Sequence, residues 1–405
     1  MKKIKSFVLM ALIGLLLLSF FNNSFGTVDI EKMAIITAIG IDKEDDLYSV
    51  TAQIAVPEED SSHTEKRRTH LVGKGVTVGD AIREISDITG WYPQLVFCNL
   101  LVIGKDYSSE NVLTVLDYFA KTLRIQDSAL VVLSSEKASD LLKESSPLDA
   151  ISSFALQKIL YKKSGFNKDV AEINIKKFCS NYYSYASSSY MPIINTIKQE
   201  DSSNSESPSS GGQSSSMNAG AQKEKSSSDN GKTLFSAKNT ALFKNGIKVG
   251  ELNESGTMIF NLLTKDCADS SIAVEDVKDE DLTSTNYLLR IFKNTKSVYF
   301  EIDDDSITLN AKIDVYCKIA DQNSKSSSVS LSKNNPLSEN IKDKLKDKLY
   351  YEALTFFHTI KSTECDILGL EQKLYRFHND YYQTYKDNYL DKMKINLSIS
   401  VTGQK

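Results

Sequence analysis

Between Lys198 and Lys232 the chain carries no aromatic and no large aliphatic residue except Met217, and serine dominates around Pro208 and Gly211-Gly212. Such a composition buries too little apolar surface to offset its ordering entropy, so the segment is expected to be a disordered linker. The segment cannot build a core, and a chain of 405 residues exceeds what one core usually serves, so more than one domain is expected. As a flexible coil of about 35 residues it would span roughly 33 Å, enough to separate two domains or make a long surface loop. The expected division is a leader at 1–26, an N-terminal α/β domain at 27–197, the Ser-rich linker at 198–232 and a C-terminal α+β domain at 233–405.

The leader has a basic start at Lys2, Lys3 and Lys5, an uncharged apolar run from Phe7 to Phe21, and a small-x-small site at Ser24-Phe25-Gly26. That order is the pattern of a secretory signal, with cleavage expected between Gly26 and Thr27. Fifteen residues at ~1.5 Å rise cover roughly 22 Å, short of the ~30 Å hydrocarbon core, which favours a cleaved signal over a signal anchor. The mature chain is therefore expected to face outward. Loss of three lysines and no acid takes the net charge from −5 to −8, which argues against nucleic acid as a partner.

Hydrophobic periodicity places the elements. An apolar run from Ala34 to Ile41, a polar turn at Asp42 to Asp46 and alternation from Tyr48 to Val56 predict two strands. Helical spacing at Thr77 to Ile88, an apolar strand over Gln94 to Ile103, a helix near Ser109 to Thr122 and a strand at Ala129 to Leu133 continue an alternating pattern. Helices over Lys137 to Lys143, Leu148 to Tyr161 and Asp169 to Phe178 complete the first half. Beyond the linker, Thr240 to Leu252 predicts a hairpin turning at Asn245-Gly246 and opening a second core. Val298 to Ile302, an acidic turn at Asp303 to Asp305, and unbroken alternation from Ile307 to Ile319 predict a half-buried antiparallel meander. A long helix capped by Ser338, a second over about Leu370 to Leu390, and a strand containing Ile395, Leu397, Ile399 and Val401 finish the chain. The fold class is α+β, or mixed α/β, multidomain, with a C-terminal antiparallel sheet and long packed helices.

Catalytic patterns do not assemble. Ser134-Ser135-Glu136-Lys137, Lys163-Ser164-Gly165 and Ser228-Asp229-Asn230 imitate the three elements of penicillin-binding enzymes, but in the wrong order and with the last in the linker. The P-loop-like tail Gly231-Lys232-Thr233 lacks its first glycine. His63, His70, His358 and His378 have no metal-ligand spacing, and Cys98, Cys179, Cys267, Cys317 and Cys365 are scattered and odd in number. No cofactor, metal site or catalytic residue is expected. The acidic clusters read as solvated turns. Tyrosine is concentrated at Tyr182, Tyr183, Tyr185 and Tyr190, and again at Tyr375, Tyr381, Tyr382, Tyr385 and Tyr389, as core packing or as a partner-binding face.

Four segments in order carry a family resemblance. Met33-Ala-Ile-Ile-Thr-Ala-Ile-Gly40-Ile-Asp42 resembles the opening signature of the Ger(x)C family, the C subunits of GerA-type spore germinant receptors. Thr240 to Leu252, with Gly246 and Gly250, is similar to the family's glycine-bearing hairpin. Cys365-Asp366-Ile-Leu-Gly369-Leu-Glu371 resembles its D-x-x-G-x-G/E element, with Leu370 replacing the second glycine, and Lys394 to Val401 its final strand. The resemblance implies a non-enzymatic, extracytoplasmic subunit working with membrane-embedded A-type and B-type partners at the inner spore membrane. Family members are lipoproteins, but ungapped alignment back from Ala34 puts Ser24 at the lipid-bearing cysteine and Phe25 where a tryptophan usually follows. A serine hydroxyl cannot supply the thiolate for the thioether, so the usual anchor is absent. The alternative function is a secreted solute-binding or cell-wall-associated protein with a ligand held between two domains.

Overall fold

The computed structural model describes residues 10–14, 33–55, 69–121, 125–149, 151–161, 169–198, 233–268, 270–278, 284–303, 306–324 and 337–403. Expectations for Ser24, Gly26, Thr27, His63, the linker and Asp304-Asp305 fall outside the described residues.

The first sheet is built around β1 (Met33–Glu44), β2 (Leu47–Ile54), β3 (Thr69–Gly75), β4 (Tyr92–Gln94), β5 (Leu100–Ile103), β6 (Leu130–Ser134), β7 (Ser188–Lys198), β8 (Thr233–Lys244) and β9 (Ile247–Leu252). Its order is β3-β2-β1-β5-β6-β7-β8-β9, with β4 paired beside the start of β1. The centre, β1-β5-β6-β7, is parallel, and both flanks are antiparallel hairpins. Strands buried on both faces read as continuous apolar runs, which is why Leu100 to Ile103 and Leu130 to Leu133 show no alternation. Helices α1 (Val78–Thr89), α2 (Leu113–Lys121), α3 (Ala138–Lys143), α4 (Ser152–Leu160) and α5 (Ile175–Tyr182) cover the two faces, and their apolar stripes form separate cores above and below the sheet.

Three expectations change here. The strand over Gln94 to Ile103 is interrupted by a tight turn in which the Cys98 N–H donates to the Leu95 carbonyl, and Val96 and Phe97 project from it. Helix α5 begins at Ile175, after Asn174 caps it, because the apolar residues Val170, Ala171 and Ile173 are buried outside the helix. The third is larger. The hairpin expected over Thr240 to Leu252 to open the second core does send Leu242 and Leu252 into it, but its strands β8 and β9 pair on to β7 and complete the first sheet, so residues 199–232 connect two adjacent antiparallel strands. Local pattern identifies a hairpin but not the sheet it joins.

The second sheet contains β10 (Ser270–Lys278), β11 (Ser284–Asp303), β12 (Ser306–Ser324) and β13 (Lys394–Gly403), in that order. Its first three strands form the expected meander, with Ile307, Leu309, Ala311, Ile313, Val315 and Cys317 buried on one face. The terminal strand departs from the expected antiparallel sheet: β13 pairs parallel to β12, which the intervening helical crossover permits. That crossover is α7 (Glu339–Ser362), capped by the Ser338 hydroxyl as expected, then α8 (Leu370–Phe377), α9 (Asn379–Tyr385) and α10 (Tyr389–Lys392). Three short helices replace the single one expected over 370–390. Helix α6 (Glu254–Thr264) links the two sheets and packs with α7 in the second core.

Candidate functional site

The sequence motifs fall into two places. In the first, Asp42 sits near the end of β1, and the expected solvated turn is confined to Asp45 and Asp46. Asp42 is buried, and its two carboxylate oxygens accept the backbone N–H groups of Ala138 at 2.8 Å and Ser139 at 2.9 Å. A carboxylate on a strand thus caps the first turn of α3, whose own N-cap residue, Lys137, makes no side-chain capping bond. Burial raises the Asp42 pKa, against the lowering pull of the Ser139 and Ala138 N–H bonds. Gly40 gives α3 room: a Cβ there would lie 3.0 Å from Leu142 Cδ1 and 3.1 Å from the Ala138 Cβ. Gly104 does the same for the carboxylate, since its Cβ would stand 2.0 Å from Asp42 Oδ1. The Gly-x-Asp signature is therefore a docking device between a strand and a helix. Beside it, Glu44 is held down to about 2 by hydrogen bonds from Lys74 and Lys137, which bind its two oxygens at 2.7 and 2.9 Å.

The other motif residues converge at the seam between the two sheets. Asn245 and Gly246 both take positive φ in the β8–β9 turn, and the Gly246 carbonyl accepts the Val112 N–H at the start of α2. Gly250 lets β9 approach the end of α7, where a Cβ would meet Thr363 Cγ2 at 2.7 Å. Immediately after Thr363, Cys365 donates its thiol to the Phe243 carbonyl at 3.3 Å, and the Asp366 N–H donates to the Ser188 hydroxyl at 3.1 Å. Gly369, at φ 65°, then turns the chain into α8. Having no side chain, Gly369 cannot cap α8. Asp366 does so instead, its Oδ2 accepting the Glu371 N–H at 2.8 Å and the Tyr389 hydroxyl at 3.0 Å. Asp366 is 2% exposed, and its Oδ1 has no hydrogen-bond partner; neither has the buried hydroxyl of Ser189, which follows Ser188 in β7.

The seam is filled. Tyr190 packs edge-on to Phe260 at 4.8 Å, Thr240 and Thr257 share a hydrogen bond, and the Asn261 amide reaches the Val170 carbonyl. Both tyrosine groups meet here, because Tyr185 lies 4.4 Å from Tyr375, which in turn lies 5.2 Å from Tyr382. Tyr382 and Tyr389 are buried and Tyr375 half-exposed, so packing accounts for most of that helical stripe. Burial raises Tyr389 strongly, aided by the charge of Asp366, and lowers Lys373, which the same carboxylate opposes. Such a cluster holds two layers together.

Sequence reasoning missed the polar partners. Ser188, Gln53, Ser152 and Ser153 all bond across more than one element, and single residues of these types carry no distinguishing pattern. All five cysteines are buried, and burial pushes Cys98, Cys317 and Cys365 to about 12 and Cys179 to about 11. Among the described residues no group of three or more His, Cys, Asp or Glu is arranged to hold a metal, and no helix is long and apolar enough to cross a membrane.

Two family models match the chain: "Spore germination protein N-terminal domain" over residues 26–196 and "Spore germination B3/ GerAC like, C-terminal" over residues 238–404. A solved structure titled "Crystal Structure of the GerBC protein" is similar to the chain, with TM-score 0.50 and 13% identity, covering 93% of this chain and 100% of the other. That likeness shows the shared fold. No curated protein matches the chain. The two matched regions together hold both motif sites, and the division between them passes through the paired strands β7 and β8.

Proposed function

The chain belongs to the GerAC-like spore germination family of germinant receptor C subunits, and from that premise we propose that it is a non-enzymatic extracytoplasmic subunit of a nutrient receptor complex. Its action is protein–protein contact at a membrane surface, with A-type and B-type membrane-embedded subunits as partners. The observation that carries this reading is where the family-like residues lie. Gly40, Asp42, Gly246, Gly250, Asp366 and Gly369 are each used to dock one element on another, which fits a rigid scaffold that transmits or holds rather than reacts. The packed seam between the sheets also favours this reading over a ligand enclosed between two domains.

Attachment follows from the leader in this proposal. With Ser24 at the lipid-bearing position, the chain is held by an uncleaved leader, held by its partners, or released. The test is capture of a tagged full-length chain from detergent-solubilised spore membranes. Co-purification of the two membrane subunits is expected; recovery of neither overturns the receptor reading.

A further inference from the structure

From Ile88 to Gly104 the chain has no charged residue, although a quarter of the protein is charged. A stretch that long would be unremarkable in a buried strand, and β5 supplies one at its end. Within its first ten residues, however, five large apolar side chains are at the surface: Ile88 is 70% exposed, Trp91 46%, Tyr92 49%, Val96 46% and Phe97 55%. The sequence also violates ordinary turn chemistry. Val96 and Phe97 occupy the two central positions of the turn closed by the Cys98 N–H on the Leu95 carbonyl, where Gly, Asn, Asp or Pro is usual. Gln126 pins the turn by donating to the Val96 carbonyl at 3.1 Å, and Leu95 and Cys98 are buried beneath it. Two large apolar side chains are thus held outward on an anchored tip, next to the aromatic pair that follows the left-handed Gly90.

The location says what covers them. Tyr92 is the register partner of Met33 in the parallel β1–β4 pair, so Trp91 and Tyr92 lie where the chain enters β1 from the leader. Met33 lies twelve positions after Phe21, the last of the apolar run, a reach of at most about 40 Å. We propose that Ile88, Trp91, Tyr92, Val96 and Phe97 form a lipid-facing patch that dips into the headgroup region of the bilayer. Trp and Tyr favour that interface because each pairs an apolar ring with a polar tip. The absence of lysine and arginine from the stretch, in a chain of net charge −5, makes the contact hydrophobic rather than electrostatic. The patch gives a chain without the thioether lipid a second hold on the membrane, consistent with the two-signal rule for stable anchoring. The proposal rests on the membrane reading given above.

Trp91 is the sole tryptophan, so its emission reports the patch without background. The full-length chain is reconstituted into phosphatidylcholine vesicles whose acyl chains are brominated near the glycerol. Vesicle flotation is scored separately from fluorescence. The expected result is a blue-shifted Trp91 emission with about twofold quenching, unchanged at high salt and without anionic lipid. The double variant Val96→Asp, Phe97→Asp, at exposed positions and checked for an unaltered circular dichroism spectrum and urea midpoint, is expected to lose the quenching. A chain that fails to float overturns the patch and attachment by the leader, while the receptor reading stands or falls on the capture of the membrane subunits. A chain that floats with Trp91 unquenched overturns the patch alone, and so does shielding of Trp91 that appears only when the membrane subunits are co-reconstituted, because the occupant is then a protein.

Discussion

Replacing Asp366 separates the two things a buried carboxylate supplies, an acceptor and a charge. Both donors, the Glu371 N–H and the Tyr389 hydroxyl, converge on Oδ2, while Oδ1 is buried and unpartnered. Asp366→Ala removes two hydrogen bonds to an ionised acceptor and strands a buried phenol and a helix N-terminal N–H. At roughly 1.5–3 kcal/mol per bond, less the relief of no longer burying a carboxylate with an empty oxygen, the net loss is about 3 kcal/mol. Asp366→Asn places its amide oxygen at the Oδ2 position and keeps both bonds, with the NH2 taking the unpartnered side. Its cost is the charge that opposes the burial of Lys373, so the variant is expected within about 1 kcal/mol of the parent. The neighbouring Cys365 supplies the assay, because its thiol is buried in the same seam. Labelling by a maleimide in native buffer, followed peptide by peptide by mass spectrometry, measures local opening. A loss of about 3 kcal/mol raises the Cys365 labelling rate on the order of a hundredfold in the Ala variant, against less than about tenfold in the Asn variant. If Asn opens the seam as much as Ala does, the charge itself is required and the assignment of Asp366 as an uncharged-equivalent acceptor is refuted.

The same reagent applied to the parent chain is expected to modify Cys98, Cys317 and Cys365 only after denaturation, since burial raises all three thiols to about 12; rapid native labelling of any of them would contradict the packing. Glu44 predicts part of the acid limb of stability. Its folded pKa lies below the unfolded value, so its contribution is complete above about 4.5 and is lost as pH falls towards about 2; Glu44→Gln should flatten that window, and added salt should shrink the difference because the group is exposed. Ser24→Cys restores the thiol at the position aligned with the lipid-bearing residue. Expressed with its leader in a lipoprotein-competent bacterium, the variant is expected to incorporate labelled fatty acid while the parent does not; no incorporation would mean the alignment of Ser24 is wrong.

The sequence by itself determined the elements whose signals are local. Alternation along Ile307 to Cys317 fixed the wet and dry faces of β12, Ser338 fixed the start of α7, and Asn245-Gly246 fixed a turn that needs two residues at positive φ. Four ordered motifs were enough to indicate the family before any contact was known. Only the tertiary structure decided where those pieces went. The hairpin at Thr233–Leu252 has the same periodicity whichever sheet it joins, and its pairing with β7 depends on partners 35 or more residues away. Strand β13 alternates identically in parallel or antiparallel register, so its direction was set by the helical crossover that precedes it. Asp42 read as part of an acidic turn because sequence shows charge but not burial; its role comes from two N–H groups almost a hundred residues distant that a helix end leaves without partners. The exposed tip at Val96 and Phe97 was concealed for the same reason in reverse, since an uncharged apolar run looks like a buried strand until the fold shows which residues are left uncovered.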